Sequence, residues 1–127
     1  MSRDLYLGID MGGTQIKIPV VTSKGIIKEE TAIPTNIKAE PFSILKSIVD
    51  VSIKLKSYSK IKSIGVGIAG DIDSKNGIVR FSPNLPKWEN IRLKKILERL
   101  TNKKTFVDND ANTAFVRRFL VRHKRKV

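Results

Sequence analysis

The chain of 127 residues contains no cysteine, which excludes disulfide bonds and thiolate metal sites. This composition is compatible with a reducing compartment. No apolar run approaches the roughly 20 residues that a membrane-spanning helix needs. A charged segment followed by an apolar leader is also missing at the amino terminus. We therefore expect a cytoplasmic protein with no membrane partner.

Acidic residues are scarce, since 12 Asp and Glu face 25 Lys and Arg and the net charge is +13. Six of those basic residues lie in residues 115–127, which hold no acid and include His123, the only histidine. Clustered cations can bind nucleic acid phosphates. The other lysines are spread over the chain without interleaved aromatic residues, which favours a solvated surface. Nucleic-acid binding is therefore a minor alternative, and we expect His123 to be solvated.

Apolar periodicity and glycine turns divide the chain into strands and helices. The predicted strands are Leu5 to Asp10, Ile16 to Val21, Ile26 to Ile33, Ile61 to Ile68, Gly77 to Phe81 after an Asn-Gly two-residue turn, and Lys104 to Val107. The predicted helices run from Pro41 to about Tyr58, from Trp88 to about Thr101, and onward from Ala111. This order predicts an α/β fold with a mixed sheet.

The most informative motif is Asp10-Met11-Gly12-Gly13-Thr14, which stands between two predicted strands. Adjacent glycines let backbone N–H groups approach an anion, and the carboxylate is placed to hold a cation beside it. The motif suits the phosphates of a magnesium nucleotide. The alternative is a tight hairpin in which the Asp10 carboxylate only bonds its own turn.

Two further motifs also follow predicted strands, namely Gly67-Ile68-Ala69-Gly70 and Asn109-Asp110-Ala111-Asn112. Ligands of open α/β sheets collect at strand ends, so the coincidence favours a binding site there. The chain resembles the amino-terminal half of ROK-family sugar kinases in four segments that occur in the same order and spacing. These segments are Gly8 to Thr14, Gly65 to Gly70, Asn84 to Trp88 and Val107 to Asn112. The kinases are glucokinase-like members of the actin-like ATPase (ribonuclease H-like) superfamily.

The resemblance implies a five-stranded mixed sheet, an ATP-dependent transfer of phosphate to a hexose such as glucose, and a role for each matched residue. Asp10 would hold the magnesium of Mg-ATP through water, and Gly12, Gly13 and Thr14 would contact the phosphates. Gly67 and Gly70 would let the loop approach the sugar. Asn84 and Asn109 would hydrogen-bond sugar hydroxyls. Asp110 would be the general base, and it would also contact the sugar.

Each of these residues also has a purely structural interpretation. Asp110 could cap the predicted last helix, and Asn84 could satisfy a proline-flanked turn. Trp88 is expected to be a packing residue at the start of a helix. Asp71 and Asp73 are expected to be turn residues without chemistry.

The chain departs from the family pattern in three respects. Its length is about half that of the relatives or less, and the second lobe, with its sugar-binding glutamate and histidine and its zinc site, has no counterpart. Gln15 stands where many relatives have lysine, so Lys17 is the remaining candidate for that contact. The resemblance stops after residue 114, which predicts a kinase lobe over residues 1–114 and a divergent basic tail over 115–127. A frameshift would produce such a tail.

These departures predict weak binding and little or no transfer activity, unless another polypeptide supplies the second lobe. The main alternative is a non-catalytic sugar- or nucleotide-binding regulatory module of the same family. Self-association is a further possibility, because residues 115–121 include an apolar set that could cover surface left by the missing lobe. That set consists of Phe115, Val116, Phe119, Leu120 and Val121.

Overall fold

The computed structural model describes residues 4–109. In chain order the elements are β1 (Leu5–Met11), β2 (Gln15–Thr22), β3 (Ile27–Pro34), α1 (Pro41–Ser52), a 3-10 turn (Tyr58–Lys60), β4 (Ile61–Ile68), β5 (Asp71–Asp73), β6 (Ile78–Phe81), β7 (Glu89–Ile91), α2 (Leu93–Thr101) and β8 (Lys104–Asp108).

The main sheet has five strands in the order β3-β2-β1-β4-β8. The first three form an antiparallel meander, while β1, β4 and β8 run parallel to one another. The predicted α/β fold with a mixed five-stranded sheet is therefore confirmed. A second sheet of order β5-β6-β7 follows the carboxyl end of β4. Because parallel strands end at a common edge, β1, β4 and β8 all deliver their carboxyl ends to one place.

The core lies on one face of the main sheet and is closed by both helices. Alternate residues of the strands point to this face, as the period of two requires. The fully buried set includes Leu7, Ile9, Met11, Ile16, Ile18, Val20, Ile64, Val66, Ile68 and Val107 from the strands, and Leu45, Ile48, Leu93 and Leu97 from the helices. Each side chain of this size contributes about 1.5–3 kcal/mol when fully buried.

Both helices are shorter than predicted. Helix α1 ends at Ser52, whose hydroxyl donates to the carbonyl of Ile48 at 2.6 Å, and single turns follow in place of the helix predicted to Tyr58. Hydroxyl side chains that bond the preceding turn compete with helix continuation. Helix α2 begins at Leu93, because residues 89–91 pair with β6 as a strand. Trp88 is buried in the core, which confirms its packing role, although it precedes a strand.

The turn between β5 and β6 was expected to contain two residues and instead contains four, residues 74–77. The amide of Gly77 donates to the carbonyl of Asp73 at 2.8 Å, and Lys94 N–H of α2 donates to the carbonyl of Gly77 at 3.1 Å. Asp73 therefore closes the turn from the end of a strand, and both Asp71 and Asp73 pair with Arg80 across the sheet.

Within residues 4–109, neither helix has the length and apolar character that a bilayer crossing requires.

Candidate functional site

The glycine turn between β1 and β2 is held by three hydrogen bonds. Gly12 N–H donates to the carbonyl of Gln15 at 3.0 Å. From the far end of β3, the Thr35 hydroxyl donates to the carbonyl of Gly12 at 2.8 Å, and Thr35 N–H donates to the carbonyl of Thr14 at 2.9 Å. A Cβ on Gly12 would lie 2.8 Å from the carbonyl oxygen of Gln15, so this position requires glycine. The turn is consequently rigid and closed on itself.

Gly13 and Thr14 form the exposed tip of this turn. Within residues 4–109, neither of their amides is donated to another group, in contrast to the amide of Gly12. Successive outward-facing amides form a site that suits an anion. The Asp10 carboxylate is half-buried at the adjacent strand end, opposite Lys17 of β2 in the register.

The loop of residues 82–88 reaches the same place from the second sheet. Leu85 and Trp88 are each 1% exposed and fasten the loop to the core. Just before Leu85, Asn84 is exposed, and its Cβ and Cγ lie 3.4 Å from the position that a Cβ of Gly13 would occupy. The Asn84 side chain therefore lies beside the glycine turn, at the distance where a Cβ at position 13 would make an ordinary van der Waals contact with it. Two segments that are about 70 residues apart in sequence meet at this point.

Gly70 brings the two parts of the structure together. It has φ +138°, and a Cβ at this position would lie 2.1 Å from the carbonyl oxygen of Phe81 and 2.9 Å from Cα of Ser82. The space that the missing side chain leaves is thus occupied by the backbone at the start of the 82–88 loop. Within the described structure, Gly70 acts by letting that loop approach β4.

Two carboxylates stand at the same level of the parallel strands. Asp10 of β1 pairs in register with Gly67 of β4, and Gly67 pairs with Asp108 of β8. In-register residues of parallel strands share a face, and two strand spacings separate them by about 10 Å. Gly67 places no side chain between the two acids. Asp108 is 7% exposed, and its Oδ1 accepts the N–H of Asn109 at 2.8 Å.

The structure thus gathers Asp10, Gly12, Gly13, Thr14 and Asn84 around one turn and places Asn109 at the end of β8, two strands away. Asp110, which the resemblance makes the general base, lies outside the described residues, as does the predicted helix from Ala111.

Sequence reasoning missed two residues that shape this site. Thr35 holds the glycine turn from the end of the third strand, and Asp108 is a buried carboxylate aligned with Asp10. The alternation of β8 offered a signal for Asp108, because a residue following Val107 points to the opposite face from that core residue. Nothing in the sequence near Thr35 indicates its bond to Gly12, which is 23 positions away.

Glu98 ties helix α2 to strand β8 and so supports the strand that carries Asp108 and Asn109. Its Oε2 accepts hydrogen bonds from Lys94 Nζ at 2.6 Å and from Thr105 N–H at 3.0 Å. Burial acts to raise the pKa of the Glu98 carboxyl, but the two hydrogen bonds together with the charges of Lys94 and Lys104 outweigh burial and hold that pKa below its ordinary value.

Comparison with known families identifies one that spans almost the whole chain. The model of the ROK family matches residues 6–125. The glucokinase of Thermotoga maritima is 36% identical over 116 residues, which cover 91% of this chain and 36% of that protein. The glucokinase of Halalkalibacterium halodurans is 37% identical over 119 residues, covering 90% of this chain and 36% of that protein.

A solved structure has the same fold over the same region. The ROK family glucokinase of Streptomyces griseus, in complex with glucose and AMPPNP, superposes with a TM-score of 0.75 and 30% identity. The superposition covers 85% of this chain and 34% of that one. The chain therefore spans about a third of the length of the relatives that it matches.

Proposed function

This chain belongs to the ROK family, and from that premise we propose that it forms the amino-terminal lobe of an ATP-dependent sugar kinase. The acceptor is a hexose, with glucose the first candidate, because the similar proteins include glucokinases and a glucokinase complexed with glucose and AMPPNP. The reaction transfers the γ-phosphoryl group of ATP to a sugar hydroxyl.

The observation that carries the proposal is the position of the Asn84 side chain beside the glycine turn, 3.4 Å from where a Cβ of Gly13 would stand. A kinase must hold its phosphate donor and its acceptor side by side, since phosphoryl transfer depends mainly on positioning and charge compensation. The glycine turn offers amides to phosphate, and Asn84 offers an amide side chain to a hydroxyl. Their proximity supports the placement of donor and acceptor in one groove.

The phosphates of ATP bind at the turn in this proposal. Gly13 and Thr14 donate their amides and the Thr14 hydroxyl to phosphate oxygens, while Gly12 allows the tight closure that presents them. Lys17 lies opposite Asp10 in the register, and in this proposal its cation takes the place of the lysine that Gln15 does not supply.

Asp10 fits the magnesium that accompanies ATP. Magnesium prefers oxygen ligands and is commonly held by one or two carboxylates, with water and substrate phosphates completing its shell. Within residues 4–109, no cluster of three or more potential metal-ligating side chains is present. The resemblance to ROK kinases implies that Asp10 holds the ion through water, and the bound ion would neutralise charge on the phosphates.

The sugar lies between Asn84 and the end of β8. Asn84 and Asn109 hydrogen-bond its hydroxyls, and Gly70 keeps the 82–88 loop close enough for Asn84 to do so. Asp110 accepts the proton of the attacking sugar hydroxyl. The hydroxyl oxygen bonds to the γ-phosphorus as the bond from that phosphorus to the bridging oxygen of ADP breaks. Asp108 acts as a positioning residue, since its carboxylate fixes the backbone at Asn109.

Binding experiments on the chain of residues 1–127 test these assignments without requiring catalysis. Backbone amide resonances would be followed by NMR during titration with Mg-AMPPNP and with glucose. We expect Mg-AMPPNP to shift Gly13 and Thr14, and glucose to shift Asn84 and Asn109. Shifts confined to other parts of the chain at saturating ligand would reject the proposed site.

Matched substitutions make the same experiment specific. Asp10→Asn should abolish the response to Mg-AMPPNP, whereas Asp50→Asn, on an exposed face of α1, should leave it unchanged. Asn84→Ala should abolish the response to glucose, whereas Asn36→Ala, in an exposed turn, should not. Equal losses from the site and control variants would show that the responses do not arise at this site.

The isolated chain is expected to transfer little phosphate. Closing two lobes around the substrates excludes water and aligns the reacting groups, and one lobe forms only half of that cleft. Co-expression with the remaining residues of the Thermotoga maritima glucokinase should restore glucose-dependent ATP turnover, and Asp110→Asn should remove it again. Robust turnover by the 127-residue chain alone would refute this expectation.

A further inference from the structure

A groove on the outer side of helix α2 lies apart from the glycine turn and the 82–88 loop. It has a volume of about 710 Å³ and runs between α2, strand β7 and the first turn of α1. Its rim carries three cations, Arg92, Lys95 and Arg99, and its apolar walls include Phe42, Ile96 and Leu100. We call this surface the α2 groove.

The apolar walls are unusually open to solvent for residues of their type. Phe42 is 54% exposed, and Ile96 and Leu100 are only partly buried against the core. The groove therefore presents apolar side chains inside a rim of cations. A concave shape of this volume is large enough to take a side chain together with the backbone that carries it.

The three cations have no acid to pair with in the described part of the chain. No ion pair joins Arg92, Lys95 or Arg99 to an acid among residues 4–109. Two neighbouring acids are engaged with other lysines, since Glu98 pairs with Lys94 at 2.6 Å and Glu40, at the start of α1, pairs with Lys87 at 3.2 Å. Positions 92, 95 and 99 follow helical spacing, so the three charges lie along one side of α2.

We propose that the α2 groove binds a short acidic segment of a partner protein, with one large apolar side chain inserted between Phe42 and Leu100 and with carboxylates paired to Arg92, Lys95 and Arg99. Nucleic acid would engage the cations but leave the apolar walls in water. An apolar partner without acids would bury three unpaired charges at its edge, which is costly. An acidic segment with an apolar anchor satisfies both parts of the surface.

Calorimetric titration of the 127-residue chain with synthetic peptides tests the proposal. The probe is the acetylated peptide Glu-Asp-Glu-Leu-Phe-Glu-Asp-Glu. One matched peptide replaces Leu and Phe with Ser, and a second replaces every acid with its amide. We expect saturable binding of the probe, and affinity roughly tenfold lower for either matched peptide. Binding should weaken as salt is raised.

Variants of equal charge locate the binding surface. Lys95→Glu combined with Arg99→Glu should lower the affinity about tenfold, and Phe42→Ser about fivefold. Lys28→Glu combined with Lys54→Glu changes the net charge by the same amount at exposed positions outside the groove, and it should alter the affinity by less than about twofold. All of these side chains are exposed, so circular dichroism should show every variant folded.

Three results would overturn the proposal. The first is no saturable binding of the probe. The second is an equal loss of affinity in the groove variants and in the Lys28 and Lys54 variant, which would mean attraction to net charge alone. The third is tighter binding of duplex DNA than of the probe, lost in the groove variants, which would assign the surface to nucleic acid.

Discussion

Substitution of Gly70 by alanine should destabilise the fold far more than the same substitution at Gly25. Both glycines have positive φ, 138° at Gly70 and 82° at Gly25. Removing a glycine also restricts the unfolded chain equally in the two variants, so this contribution cancels in the comparison. The two positions differ in what surrounds them, because Gly25 is exposed in the β2–β3 turn and Gly70 contacts the backbone of residues 81–82.

The magnitude follows from the geometry. Backbone strain at a position of this kind costs about 1–3 kcal/mol. The alanine Cβ would lie 2.1 Å from the carbonyl oxygen of Phe81, so that backbone must move by roughly 1 Å to restore an ordinary contact, at about 1–3 kcal/mol more. We therefore expect a loss of about 2–6 kcal/mol for Gly70→Ala and about 1 kcal/mol for Gly25→Ala.

Urea unfolding followed by circular dichroism measures both losses. With a slope of about 2 kcal/mol per molar urea, the midpoint should fall by about 2 M for Gly70→Ala and by about 0.5 M for Gly25→Ala. Amide resonances of Ser82 and Asn84 should also move in the folded fraction of Gly70→Ala. Equal midpoints for the two variants, or unchanged resonances at Ser82 and Asn84, would refute the role assigned to Gly70.

Three further predictions follow from contacts outside Gly70. Glu98→Gln should lower the free energy of unfolding by about 1 kcal/mol at pH 7, while Glu30→Gln on β3 should change it little. The folded-state pKa of Glu98 lies below its ordinary value of 4.5, so the stabilisation by its carboxylate is complete above pH 4.5 and is lost as pH falls through the lower folded value. The stability of the wild type and of Glu98→Gln, measured against pH, should therefore converge in acid. Burial raises the pKa values of both tyrosines above 10.0, and at Tyr6 the Asp4 charge adds to this effect while Lys62 opposes it. In an ultraviolet titration, the phenols of the folded chain should therefore ionise at higher pH than those of the unfolded chain. The folded chain should lose stability as pH rises through the folded-state pKa values of the tyrosines. Thr35→Val removes the hydrogen bond from the Thr35 hydroxyl to the carbonyl of Gly12, so it should lower the free energy of unfolding by about 1 kcal/mol and weaken Mg-AMPPNP binding in calorimetry. Thr31→Val on β3 is the control, and it should leave Mg-AMPPNP binding unchanged.

Strand positions could be predicted from the sequence because their signals are local. Alternation of apolar residues and the glycine turns placed β1, β2, β4 and β8 to within a residue or two of their bounds. The ends of the helices could be predicted less accurately from the sequence. Trp88, Ile91 and Leu93 satisfy helical spacing nearly as well as a strand followed by a helix, and only the pairing of β7 with β6 decides between them.

The residues of the candidate site could be named from the sequence, but the contacts that hold them in place could not. The motif around Asp10 and the loop around Asn84 are visible as separate segments. The proximity of the two segments depends on Gly70, whose effect arises only when residues 81–82 fold back onto the end of β4. Such long-range backbone contacts leave no periodic signal in the chain, which is why the bond from Thr35 was also missed.

The burial of Trp88 gives the protein a built-in optical reporter. It is the only tryptophan of the chain, so its fluorescence needs no label and no correction for a second indole. At 1% exposure the folded protein should emit at short wavelength, and emission should shift to the red when the core opens to water. Because the same loop carries Asn84, we expect a ligand bound at the proposed site beside Gly13 to change the emission intensity of this single indole.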